Sequence, residues 1–157
     1  MMLKNKKQKC IMWISILSVI LCMTVPCFFY TISIAQSTRS SDEQMIARAI
    51  NGEARGESYE GQVAVGAIIL NRVNSADFPN TVAGVIYQPG AFTAVTDGQI
   101  NVPIDAGSSV LKAARDAING WDPTGGCLYY WNPATATSKW IWSKQIVKAI
   151  GKHNFGK

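Results

Sequence analysis

The stretch EGQVAVGAIILNRVN, residues 60–74, constrains this chain more than any other. Val63, Ala67, Leu70 and Val73 step along one helical side, with Ala64 and Ile68 beside them. Val65 and Ile69 widen the apolar surface until little of the circumference is left for water. A helix of this kind has to be covered on most sides, so the rest of the fold must be arranged around it. Asn71 and Arg72 read as the end at which it emerges.

The flanking segments supply the cover. SSDEQMIARAI predicts a helix opened by a capping pattern, Ser41 with Gln44 three residues on, and Asp42 and Glu43 at its positive end. Met45, Ile46, Ala49 and Ile50 repeat at helical spacing, and the helix is expected to weaken near Gly52. SSVLKAARDAING predicts a third helix, capped by Ser108 or Ser109 and ended by Gly120. Between them residues 74–107 are rich in Gly, Pro, Asn and Asp, with a short helical turn expected only at TVAGVIY. Loops this long in a compact domain are often functional. WDPTGG reads as a turn, CLYYWNP and TSKWIWSK as strand-like or extended segments, and QIVKAIGKH as a last short helix stopped by Gly151. The expected class is α+β, mainly α.

The start of the chain differs from the rest. MMLKNKKQK carries four lysines and no acid, and the next 26 residues, 10–35, carry no charge at all. This reads as an export leader or a retained membrane anchor, since about 20 apolar residues span a bilayer. The lysines would hold the N-terminus inside and send the remainder out, and SIA before Gln36 offers a cleavage site after Ala35. The expected organisation is a signal peptide or anchor over 1–35, a polar linker over 36–41 and one catalytic domain over 42–157. An extracytoplasmic location follows, secreted or attached to membrane or wall.

Beyond the leader, 11 basic residues face 10 acids, which removes the electrostatic case for nucleic acid. The charge is segregated, with seven Lys and Arg against two acids over residues 112–157. Such a face suits an anionic polymer such as a cell wall, or simply a solvated surface. Only Cys127 lies outside the leader and His153 is the sole histidine. No CxxC or His-rich spacing is present, so neither a metal nor another cofactor is expected. A Cys127–His153 nucleophile pair is conceivable, although the neighbours in CLYY suggest a buried thiol.

INGEARGE, residues 50–57, holds the main candidate acid. Glu53 follows Ile50 by three positions and so leaves its helix near the core-facing side. Gly52 beside it allows another segment or a sugar to approach closely. A glutamate in apolar surroundings has its charged form disfavoured, and an acid that keeps its proton near neutrality can deliver it to a leaving oxygen. The plain alternative is a solvent-facing residue at a fraying helix end. Glu57 could pair with Arg55 or Arg48, support Glu53 or touch substrate. Thr93 and Asp97 in AFTAVTDGQI are further substrate-contact candidates; Asp97 and Glu60 are also candidates for a second carboxylate, although Asp97-Gly98 is an ordinary turn dipeptide. Four of the five tryptophans fall within residues 121–142. Sugar rings stack on such faces, and Tyr130 and Asn132 in YYWNP pair a ring with a polar tip.

Taken together, MIARAINGEARGESYEGQVAVGAIILNRV, FPNTVAGVIYQPGAFTAVTDGQI, AARDAINGWDPTGGCLYYWNP and ATSKWIWSK resemble the spore cortex-lytic and cell-wall hydrolases of the SleB/CwlJ type. The match runs in family order over residues 42–157. It implies a lysozyme-like fold related to lytic transglycosylases, with peptidoglycan as substrate and Glu53 as the catalytic glutamate. The bond implied is that between N-acetylmuramic acid and N-acetylglucosamine, opened to a 1,6-anhydro end in cortex hydrolysis at germination or in wall turnover. Members of the SleB type usually carry a wall-binding repeat module ahead of the catalytic domain, where this chain has only QSTRSS. Affinity for the wall is then expected from the cleft, the basic C-terminal region, a membrane tether or an accessory spore or wall protein. Two other classes stay in view: a tethered, non-catalytic peptidoglycan-binding protein and a Cys127-dependent amidase.

Overall fold

The computed structural model describes residues 36–157, and a compact body spans Ser41–Lys157. The expected leader over 1–35 lies outside the described residues. Helix α1 occupies residues 36–54 and α2 Tyr59–Val73. The helix is already formed at residue 36, so the polar stretch 36–41 is helical and the Ser41–Gln44 pattern lies inside α1 rather than at its start. α2 begins where Ser58 accepts a hydrogen bond from the Gly61 amide, a side-chain cap one turn in.

α2 is the axis of the body. Every residue from Gly61 to Ile69 is buried. Ile46, Ala49 and Ile50 of α1 pack on it, and so do Val110, Ala113, Ala114 and Ala117 of the helix α5, Ser109–Ile118. Gly66 permits the close approach: a Cβ there would lie 3.1 Å from that of Ala117 and 3.2 Å from Ile50 Cδ1. The outcome departs from the sequence reading at Arg72, which is buried and does not mark an emerging end.

The segment 74–107 is more ordered than its composition suggests. It holds α3 (Val82–Ile86), α4 (Thr93–Thr96) and a 3-10 turn at Gln99–Asn101. Thr81 caps α3 and Ser108 caps α5 by accepting from amides three residues on.

The C-terminal part corrects two expectations. QIVKAIGKH is not a helix. Ile146–Ile150 is strand β2, and Gly151-Lys152 turns the chain into β3, His153–Gly156. Gly151 has φ +57°, the glycine-first arrangement of a type II′ hairpin turn. CLYYWNP does supply a strand, β1 (Tyr129–Trp131), antiparallel to β3, so the sheet order is β1-β3-β2. TSKWIWSK closes into a 3-10 turn at Ile141–Ser143 and adds no strand. Ala64 and Ile68 of α2, Cys127, Ile150 and Phe155 bury the sheet against the central helix.

Candidate active site

Glu53 lies in the last turn of α1, half-buried, where the chain would otherwise be free to fray. It is held from two directions. Oε1 accepts from the Thr93 hydroxyl at 2.9 Å and from the Ala94 amide at 2.8 Å, both in the first turn of α4. Oε2 accepts from the Tyr130 hydroxyl at 3.0 Å, on β1. The carboxyl thus meets three donors, not the apolar walls its position in the sequence suggests.

Gly52 explains how α4 reaches that position. A Cβ on Gly52 would run into the Cβ of Ala94, so the missing side chain is what lets the α4 backbone dock on α1. The expected close approach is real, and the partner is another segment of the same chain.

Tyr130 is set rigidly. Its ring packs with Phe92, His153 and Phe155 at centroid distances of 6.3, 5.6 and 6.2 Å. Burial, then the neighbouring Glu53 charge and their hydrogen bond, push the phenol well above its ordinary range of about 10. The hydroxyl therefore stays a donor at any ambient pH. His153 is half-buried beside it, and burial lowers its pKa against the opposing pull of Glu57 and Glu53.

The sequence candidates thus divide. Glu53, Thr93 and Tyr130 come together. Glu57 is committed to the β2–β3 turn, where Oε2 accepts from the Lys152 amide at 3.1 Å and rests against Gly151. Asp97 Oδ1 accepts from the Gln99 amide at 3.0 Å, and Asn132 Oδ1 from the Ala134 amide at 2.9 Å, so both side chains shape local turns. Glu60 pairs with Lys148 at 3.0 Å on the surface. Cys127 is fully buried, its thiol donates to the Thr124 carbonyl at 3.2 Å, and burial raises its pKa, which leaves no thiolate to attack.

Two features of the surroundings escape a sequence reading. The Ala94 donor is a backbone amide, invisible in side-chain chemistry. Arg72 is the other. One turn past Ile68 and Ile69 it sits on the buried side of α2, and that spacing was the available signal. Its Nε donates to the Leu128 carbonyl at 2.8 Å, and it lines a pocket of about 270 Å³ beside Tyr130.

A protein-family model described as Cell Wall Hydrolase matches residues 56–156. A spore cortex-lytic enzyme of Bacillus cereus is 62% identical over 117 residues, covering 74% of this chain and 44% of the relative. The chain therefore spans less than half the length of that relative. Cell wall hydrolase CwlJ of Bacillus subtilis is 35% identical over 123 residues, covering 74% of this chain and 84% of the relative. The catalytic domain of the germination-specific lytic transglycosylase SleB from Bacillus anthracis superposes with a TM-score of 0.70 at 64% identity. That match covers 74% of this chain and 93% of that one. The fold is accordingly lysozyme-like, mainly helical with a small sheet.

Proposed function

The chain belongs to the cell wall hydrolase family, and from that premise we propose that its cleft cuts peptidoglycan as a lytic transglycosylase. The bond is the one joining N-acetylmuramic acid to N-acetylglucosamine, and Glu53 is the acid and then the base. The observation that carries this reading is the holding of a single carboxyl by Thr93, Ala94 and Tyr130 next to an aromatic-lined pocket.

The two carboxyl oxygens are not equivalent. Oε1 has both in-plane lone pairs taken by Thr93 and Ala94, whereas Oε2 receives one donor. The transferable proton therefore belongs on Oε2, and Tyr130 fixes the direction in which it points. Glu53 gives that proton to the glycosidic oxygen as the C1–O bond breaks. The substrate's own acetamido oxygen stabilises the cationic sugar. The carboxylate then takes the proton of the 6-hydroxyl, whose oxygen closes on C1 to leave a 1,6-anhydro end. The proton balance closes on Glu53, so neither water nor a second carboxylate is consumed, in keeping with Glu57 being occupied at a turn.

The substrate lies outside the cytoplasmic membrane. Leader residues 1–35 serve this reading equally as a cleaved export signal or as an anchor, and cortex or wall turnover is the setting.

Digestion of purified peptidoglycan followed by mass spectrometry of the soluble products tests the proposal. Muropeptides with anhydro ends support it, and reducing ends replace transglycosylation with hydrolysis. Pelleting with walls and no soluble product at any pH would mean a binding protein.

A further inference from the structure

Arg72 is 7% exposed, and the mechanism above makes no use of it. Its guanidinium carbon lies 5.2, 5.5 and 5.9 Å from the ring centroids of Phe78, Phe92 and Tyr129. Rings satisfy the faces of a guanidinium, not the five N–H donors in its plane. Among the described residues Nε is its only hydrogen-bonded nitrogen, through Leu128, and no carboxylate pairs with it. A cation held largely out of water without a paired anion is costly, so an anion that reached its free edge would be bound favourably.

The edge that carries its two Nη atoms opens on a pocket. Arg72 lines the pocket with Phe78, Gln88, Tyr129, Tyr130 and Trp140, and no acidic side chain is among the lining residues. Lys144 adds a second positive charge, its Nζ 4.3 Å from the Tyr129 ring centroid and 4.7 Å from that of Trp140. Tyr130 is shared with Glu53, which makes the pocket the immediate neighbour of the reacting carboxyl.

We propose that this pocket is the subsite for a carboxylate on the substrate's muramyl side arm, with Arg72 as the residue that recognises it. The inference rests on the peptidoglycan reading above and extends it. A planar fork of two N–H groups matches a carboxylate bidentately, which a neutral acetamide oxygen cannot reproduce. Of the two sugars in the strand only the muramyl residue carries a side arm, a lactyl group whose amide-linked amino acid or peptide ends in a carboxylate. Seating that arm beside Glu53 fixes the register of the strand, and so which of its two alternating linkages is cut.

The test is a binding titration with N-acetylglucosaminyl-N-acetylmuramoyl-L-alanine and with its alanine carboxamide, neither of which contains the scissile bond. The wild-type chain binds the acid about tenfold tighter than the amide, the scale of one charge-assisted bidentate contact. Arg72→Met, which keeps the stem between Phe78 and Phe92, brings the ratio to about one, while Arg72→Lys keeps part of it. Equal binding of acid and amide by the wild type overturns the proposal, and this arm requires no variant to fold. An unchanged ratio in a folded Arg72→Met protein overturns it as well. Muropeptide release is scored in parallel. Release without acid preference removes the subsite alone, and acid preference without release removes the glycosidase reading.

Discussion

The hydroxyl of Tyr130 lies 3.0 Å from Oε2 of Glu53, across 77 residues of sequence. It is the contact by which the sheet reaches the end of α1. Tyr130→Phe keeps the ring packing against Phe92 and Phe155 and deletes this donor alone. Glu53 ionises as it hands its proton to the leaving oxygen, and a hydrogen bond to the ionised form is worth about 1.5–3 kcal/mol, so kcat is expected to fall roughly 10–100-fold. KM should stay nearly constant. Steady-state kinetics on soluble glycan strands checks it, and an unchanged kcat would show that the phenol does not aim the carboxyl.

The docking of α4 on α1 gives a second expectation. Alanine is favoured over glycine in a helix by about 1 kcal/mol, yet at position 52 its methyl would meet Ala94 Cβ, with Ala94 Cα and Gln99 Cβ each 3.2 Å away. Overpacking costs about 1–3 kcal/mol, so the clash wins. Gly52→Ala is expected to lower Tm and to lose activity out of proportion, because α4 carries the Thr93 and Ala94 donors. The double variant Gly52→Ala/Ala94→Gly should recover much of both, as read by calorimetry and turnover side by side.

His153 sets a limit on acid stability. Its pKa is lowered from 6.5, chiefly by burial beside Tyr130, against Glu57 and Glu53. The unfolded chain then binds the proton more readily than the folded one, so stability is complete above about 6.5 and declines as pH falls below it. Urea midpoints between pH 7.5 and 5 should drop in the wild type. The decline should be shallower in His153→Phe, and equal slopes in the two proteins would count against this assignment.

Cys127 makes a negative expectation. Its thiol is fully buried and bonded to the Thr124 carbonyl, and reactivity requires an accessible thiolate. Native protein should keep full activity after iodoacetamide, with alkylation by mass spectrometry appearing only in denaturant. Inactivation in step with labelling of Cys127 would revive a thiol mechanism.

Much of the fold was legible where one element decided its own fate. α2 and α5 carry a helical apolar pattern with serine caps, and each forms as its pattern suggests. β2 is hidden in the sequence because Ile146, Val147 and Ile150 fall at spacings that also suit a helix face. Four of its five residues are exposed, so the strand shows no alternation of apolar and polar positions. Its identity comes from pairing with β3, a non-local fact. The site divides likewise. Glu53 stands out through its glycines and its distance from Ile50, whereas its donors come from 40 and 77 residues away. Asp97 and Asn132 suit sugar contact equally well in the sequence, and in the fold each holds a backbone amide of its own turn through Oδ1. The charge of Arg72 points to the solvent end of its helix, because a charge is usually exposed, and its burial runs against that rule.

The most direct measurement of the central claim is the rate of muropeptide release by Glu53→Gln, which keeps the shape of the side chain and removes its acid–base capacity. General acid–base catalysis contributes about 10²–10⁴-fold, so release is expected to fall by at least about a hundredfold while circular dichroism and Tm stay near wild type. Release at the wild-type rate from a folded Glu53→Gln protein would contradict the account.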